Sequence, residues 1–390
     1  MIALPNQLAT KGQITTQAQA KTRMAYLDNL RIYLTILVIL HHAAIAYGGA
    51  GDWPVKDPAV DKVSPMLLAI FNAVNQAYFM SAFFLLAGYF TPRALANKGV
   101  KQFINDRLLR LGVPLLLYTT LVVNLNKLLL DVYYRKVAYQ PFIGYSAGHL
   151  WFVQALLLFA GIYVVYWVIA KPGGARTKAA ISPSAFPSDG HLLGWIGGLA
   201  LLTFVVRLRF PVGVWLWEMQ LGHFVHYVFA FGAGILAYHH DWLNQLTGAQ
   251  ARRWGISACA AVPLFVILVG LAGALDNGAN VAKLLGGWHW EALAFALWEA
   301  WLMIALIVFL LYLLRAKFNT AGPLTRMMAA NAYTVYLIHQ TVLIALNIAL
   351  LSTPIPTIVK FFLASAMTIL VCFGLSGLIR RIPGAERVLG

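Results

Sequence analysis

Charge is what this chain has least of. Only 11% of its 390 residues are Asp, Glu, Lys or Arg, against roughly 25% in a soluble domain, and 61% are hydrophobic. So little charge cannot coat a water-soluble fold, and the composition describes a polytopic membrane protein that meets the lipid bilayer directly. Acidic residues are the scarcer sign, 13 against 29 Lys and Arg. The resulting formal charge of +16 would suit a nucleic-acid partner if the basic residues formed one patch or tail. They are spread along the chain, and no nucleic-acid partner is expected. Cysteine is nearly absent. Cys259 and Cys372 stand far apart in apolar runs without CxxC spacing, which predicts two buried, inert thiols. Neither HExxH nor a Walker or Rossmann loop occurs, and "HFVH" (223–226) and the pair His239 and His240 do not make a diiron set. No metal site is expected.

Long apolar runs are what the chain has instead. Ten reach the length of about 20 residues that a span needs: approximately 27–48, 66–90, 108–130, 149–170, 191–206, 223–240, 254–275, 292–314, 327–350 and 357–379. The fifth and sixth are short and interrupted by glycine, so irregular backbone is expected there, facing protein or a cavity. Residues 1–26 lack the apolar core and cleavage site of a signal peptide and read as a cytoplasmic tail. With that end inside, 19 of the 29 basic residues fall in cytoplasmic segments and 9 in outer segments or span edges, leaving Arg31 within the first run. That asymmetry predicts ten spans with both termini cytoplasmic. The stretch from Lys171 to Gly190 reads as a flexible connector. The expected architecture is an all-α membrane bundle, with a tail at 1–26, one transmembrane domain at 27–380 and a tail at 381–390.

The first run, "LDNLRIYLTILVILHHAAIAYG" (27–48), holds the most expensive groups. Charged and ionisable residues inside a span usually face the bundle interior and mark function. From Arg31 to His42 an ideal helix turns 20° past three full turns and rises about 16 Å. Arg31 and His42 therefore share a face, and His41 lies about 80° away. Histidine is the natural general base near neutral pH, which makes His42 the candidate base, with His41 orienting it or substituting for it, and Arg31 a binding group at the entrance. Asp28, one turn before Arg31, is the expected partner of the guanidinium.

The same run resembles the opening of the acyltransferase-3 family of integral membrane O-acyltransferases, with its LDxLR-type start and a histidine ten intervening residues after the arginine. "FFLLAGYF" (83–90), "DRLLRLGVPLLLY" (106–118), "GHLWFV" (148–153) and "NAYTVYLIHQ" (331–340) are similar to later landmarks of that family, in the same order. The chain departs where the family usually has Ser-Gly and Ala87-Gly88 stands here. "GHLWF" and the FFxxxGYF pattern look closest to the branch that modifies periplasmic glucans, whose members resemble succinyltransferases. The resemblance implies an acyl-CoA donor, an acetyl or succinyl group, a carbohydrate or other hydroxyl acceptor outside the membrane, and a bacterial inner-membrane setting. The HxxxxD arrangement of glycerolipid acyltransferases is missing. Arg107 and Arg110, with Lys101 nearby, would hold the coenzyme A phosphates, since guanidinium forks suit phosphate oxygens; positive-inside anchoring explains the same residues.

Supporting positions are His149 and Trp151 at the start of the fourth run, Asn331 and His339 in the ninth, and Glu299 in the eighth. Interhelical hydrogen bonds or an interfacial aromatic belt would also account for them. Glu299 would orient a histidine, pair with an arginine or stay protonated. "VWLWEMQLGH" (214–223) and "GGWHWE" (286–291) offer aromatic faces suited to a carbohydrate or to the membrane interface. The rival to an acyltransferase is a proton-coupled secondary transporter using the same buried His, Arg and Glu groups; it predicts flux without coenzyme A consumption. A membrane scaffold, with these residues serving helix packing alone, is the third possibility. The acyl group, the acceptor and the oligomeric state stay open.

Overall fold

The computed structural model describes residues 24–170, 181–275 and 278–389. Most of the expected N-terminal tail, with Lys11, Lys21 and Arg23, lies outside the described residues, as do Lys171, Arg176 and Lys178 of the connector. Among the described residues, ten helices are long and apolar enough to cross a membrane: α1 Ala25–Ala46, α2 Val63–Lys98, α3 Val100–Tyr134, α4 Gly148–Ala170, α5 Asp189–Arg209, α6 Leu221–His239, α7 Gly248–Leu271, α8 Trp290–Lys317, α9 Pro323–Leu350 and α10 Thr357–Ile379. They match the ten apolar runs one for one. Among the described residues the only β pairing is a bridge between Leu216 and Met219, so the fold is all-α.

Of the two spans expected to carry irregular backbone, α6 opens with a 3-10 turn at Leu221–His223 and α5 has none, while the longest irregular stretch lies in α3. α5 runs unbroken from an N-cap at Ser188, whereas α3 passes through three π turns, Leu108–Gly112, Tyr118–Val122 and Leu129–Tyr134. Local chemistry explains the looseness. Pro114 has no N–H to give the ladder. The hydroxyls of Thr119 and Thr120 donate to Leu116 O (3.0 and 2.7 Å), and Asn124 Nδ2 donates to Thr120 O at 3.1 Å. Side chains that take up helix carbonyls loosen and bend the ladder.

α1 sits at the centre, packed against α2, α8, α9 and α10. Leu27, Leu34, Ile39, Ala43 and Ala44 along it are sealed from solvent, so the polar groups α1 carries must find partners in its neighbours. Glycine sets the closest approach in the bundle, between α2 and α6. A Cβ added to Gly88 would stand 2.0 Å from Phe231 O, and one added to Gly234 would stand 2.1 Å from Leu85 O. The glycine of "FFLLAGYF" is thus a point where two backbones touch and no side chain fits.

Two basic residues counted with the outer segments are buried. Arg207 is fully enclosed, and Lys360 lies against Asp57, Nζ to Oδ2 at 2.6 Å. Hydropathy at a span end does not distinguish a snorkelling cation from one folded inward to a counter-charge. The cysteine expectation needs one correction. Cys372 is buried, but Cys259 is exposed on the flank of α7.

The segment 47–62 between α1 and α2 forms a strap over the end of α1. Gly49 N donates to Ala44 O (2.7 Å), Asp57 N to Ala46 O (2.9 Å) and Asn72 Nδ2 to Ala50 O (3.0 Å). Lys360 holds Asp57 from α10, and Val60 N donates to Thr357 Oγ1 at 3.1 Å. These bonds seat Trp53 inward, 5% exposed.

Candidate active site

His42 near the end of α1 meets α9 side on. Its Nδ1 lies 2.9 Å from His339 Nε2, with the two rings nearly parallel, 13° apart and 5.1 Å between centroids. The Trp53 indole covers the other face of this region, 4.9 Å from the His42 ring at 25°. Asn347, with its amide oriented to accept, takes the Trp53 Nε1–H at 2.9 Å and donates to Tyr47 Oη at 3.3 Å. The His42 ring is therefore fixed in plane by α9 and by the strap.

Hydrogen-bond accounting assigns the tautomers. His339 Nδ1 lies 2.7 Å from Tyr336 O, and a carbonyl only accepts, so Nδ1 carries the hydrogen. A neutral His339 then presents a lone pair at Nε2, and the hydrogen between the two rings belongs to His42 Nδ1. His42 Nε2 is left unprotonated, and it has no hydrogen-bond partner among the described residues. His42 is half-buried, whereas His339 is fully enclosed. The nitrogen with a free lone pair thus sits on the less buried ring.

A third histidine joins from α4. His149 donates from Nε2 to the same Tyr336 O at 3.0 Å, its ring 4.6 Å from His339 at 79°. Its Nδ1 lies 2.8 Å from the Gln340 side-chain amide, which Tyr118 Oη also contacts. A neutral ring satisfies both contacts when Gln340 presents its NH2 rather than its oxygen. Tyr336 Oη donates back to His149 O. Gly148 adopts φ +47°, and a Cβ there would meet Tyr118 Oη at 2.3 Å, so the glycine of "GHLWF" lets the turn close on the tyrosine.

His41 points elsewhere, as its 80° offset requires. It stacks on Phe79 of α2 at 4.9 Å, and its buried Nδ1 has no hydrogen-bond partner. Beyond it lies a second polar cluster. Arg207 Nη1 meets Glu299 Oε2 at 2.5 Å, Nε donates to Gly222 O at 3.0 Å, and Nη2 lies 3.3 Å from His223 Nδ1. Glu299 thus pairs with an arginine, and its other oxygen is 3.9 Å from His223 Nδ1.

Apart from Trp151, the remaining sequence candidates occupy the end where α1 begins. Arg31 Nη1 lies 3.3 Å from Asp28 Oδ1. Arg107 packs its guanidinium over Phe103, 4.9 Å to the centroid, while Arg110 and Lys101 are exposed. Tyr333 Oη donates to Arg110 O at 2.7 Å and ties this end of α3 to α9. Asn331 donates to Met327 O at 2.9 Å, and its buried Oδ1 has no partner. Trp151 stacks on Tyr227 at 5.6 Å and lies against Phe224, so it packs between helices rather than joining an exposed belt. Among the described residues no three His, Cys, Asp or Glu side chains converge as metal ligands would.

The sequence reading missed Trp53, Gln340, Tyr118 and Arg207. Tyr336, His339 and Gln340 fall three and four residues apart on one helix face, a spacing that was legible. Nothing in the sequence pointed Trp53 at His42.

Ten candidate spans, with a pair of imidazoles packed between two of them, define an integral membrane protein. The sequence profile of the acyltransferase-3 family, described as an acyltransferase domain, matches residues 24–377. The chain belongs to that family of transferases. It is 24% identical over 260 residues to "Glucans biosynthesis protein C" of Salmonella schwarzengrund, and 24% identical to the proteins of that name from Salmonella typhi and Salmonella typhimurium. Each match covers 63% of this chain and 66% of the relative, so the chain spans just under two thirds of the curated relatives' length. No solved structure matches.

Proposed function

We propose that this protein is an O-acyltransferase of the bacterial inner membrane. Within its single membrane domain it moves an acetyl or succinyl group from acyl-CoA to a hydroxyl of an extracytoplasmic glycan. The observation that carries this reading is the contact of His42 Nδ1 with His339 Nε2 at 2.9 Å, with His339 Nδ1 on the Tyr336 carbonyl. With Nδ1–H donated to His339, His42 keeps an unprotonated Nε2, the form a general base needs. His42 Nε2 takes the hydroxyl proton of the acceptor, the oxygen attacks the thioester carbonyl, and the coenzyme A thiolate leaves and recovers a proton. His339 holds the base in this tautomer and stabilises the imidazolium formed during the step. His149 fixes the carbonyl on which His339 depends, and His41 supports the α1 backbone from the α2 side.

The donor enters from the end where α1 begins. Arg31, Arg107, Arg110 and Lys101 gather positive charge there for the coenzyme A phosphates, with Asp28 holding Arg31 and the unpartnered Asn331 Oδ1 available to a donor amide. The separation of about 16 Å between Arg31 and His42 suits an extended pantetheine arm. The basic-residue asymmetry supports placing this end, and both termini, in the cytoplasm. The glycan acceptor is supported by relatives named for glucan biosynthesis. The test is acyl transfer by purified protein supplied with acetyl- or succinyl-CoA and gluco-oligosaccharides. His42→Ala should abolish ester formation while the protein remains folded; full activity of both His42→Ala and Arg31→Ala would refute the assignment.

A further inference from the structure

Trp217 is the most conspicuous residue for which helix packing gives no reason. It is 77% exposed and occupies the tip of a two-residue hairpin closed by Leu216 N to Met219 O (2.9 Å) and Met219 N to Leu216 O (3.0 Å). Both tip residues, Trp217 (φ 50°) and Glu218 (φ 65°), are in the left-handed region. A turn of this kind prefers Asn-Gly, because a Cβ crowds the backbone at positive φ. Two consecutive side-chain-bearing residues have been placed where glycine or asparagine would be easier, and backbone strain of this sort concentrates at functional sites.

The tip is braced from the polar side. Gln154 Nε2 donates to Trp217 O (3.1 Å), Ser146 Oγ to Glu218 Oε2 (3.0 Å) and Tyr145 Oη to Gln154 Oε1 (2.6 Å). Buried Met219 anchors the hairpin from below. Tyr145 is itself 53% exposed, and burial, with the Glu218 carboxylate second, pushes its phenol up, so it remains a neutral donor. Ser146 and Gln154 flank His149 in the chain, which places the hairpin at the mouth of the helix that supplies the third histidine. Trp288 makes the contrast. It leans on Phe204 of α5 (5.7 Å), against apolar helix surface, as an interfacial tryptophan does; Trp217 is tied instead to amide, hydroxyl and carboxylate groups.

We infer that Trp217, with Tyr145, Gln154 and Glu218, forms a carbohydrate-binding platform that receives the acceptor glycan before transfer. A pyranose ring lays its C–H face on an indole while its hydroxyls bond to amide and carboxylate groups around the rim, and an aromatic with one apolar face and a wet edge meets both demands. The platform rests on the proposed glycan acceptor but is tested apart from the chemistry. Binding of gluco-oligosaccharides differing in linkage is measured by calorimetry on the full chain in nanodiscs, without acyl donor. Trp217→Asn keeps a residue tolerant of positive φ and removes the indole. Its affinity should fall at least tenfold, with a melting temperature equal to or above that of the wild type. His42→Ala should bind as the wild type does while failing to transfer, which separates this platform from the catalytic assignment. Unchanged affinity in Trp217→Asn, or no oligosaccharide binding by the wild type, overturns the platform. So does loss of brominated-lipid-quenchable fluorescence on replacing Trp217, which would place the indole in the bilayer.

Discussion

If His42 and His339 act as one unit, removing either should expose the other's dependence. His339→Phe keeps a ring to stack on His42 but deletes the nitrogen that accepts from His42 Nδ1. A donor left unmatched in a largely buried setting costs about 1–3 kcal/mol, and the tautomer with its lone pair at Nε2 is no longer favoured. Turnover should fall roughly 10- to 100-fold, since each 1.36 kcal/mol is a factor of ten, with the KM for the donor unchanged. His42→Ala removes the base itself and should cost about 10²- to 10⁴-fold. The double variant decides the matter. Once His42 is gone, His339 has nothing to orient, so the double should be no slower than His42→Ala alone. The assay is release of free thiol from acyl-CoA, followed colorimetrically, with a thermal melt for each variant to show that it is folded. Multiplying losses in the double, or a His339→Phe variant at wild-type turnover, would refute the dyad.

Other consequences are structural. Gly88→Ala should lower stability by at least about 1–3 kcal/mol, the usual effect of overpacking, because its Cβ meets the Phe231 carbonyl. Gly112→Ala, where the nearest atom to an added Cβ is 3.8 Å away, should be tolerated in the same thermal melt. Glu299→Ala leaves Arg207 buried without its counter-charge and should destabilise by about 3–5 kcal/mol, whereas the double change Arg207→Met with Glu299→Leu should recover much of the loss. Lys360→Met releases Asp57 and should make the strap at 47–62 cleavable by protease at concentrations that leave the wild type intact. Cys372 should resist a membrane-permeant maleimide until the protein is denatured, as mass spectrometry of peptides will show.

The spans were legible because hydropathy over twenty residues is a local property. The shared face of Arg31 and His42, and the divergence of His41, followed from helix geometry alone. Partnership between helices was not legible. His42 and His339 are 297 residues apart, and no periodicity within either helix says which neighbour it faces. The same limit hid the burial of Arg207, since a cation at the end of an apolar run has the same local sequence whether it reaches for headgroups or for Glu299. Trp53 lies in a polar connection, and bonds to that strap from α1, Asn72, Thr357 and Lys360, with Asn347 on the indole N–H, turn it toward the site.

The Arg207 and Glu299 pair also bears on how the protein is made. The ribosome delivers α5 long before α8, the two charges being 92 positions apart. During that interval the arginine lacks Glu299, and from the last turn of α5 its long side chain reaches the headgroups instead. The buried seat of that guanidinium is complete only once α8 supplies the carboxylate. A nascent chain stalled after α7 should leave Arg207 reachable by solvent, and the finished pair ties the second half of the bundle to the first.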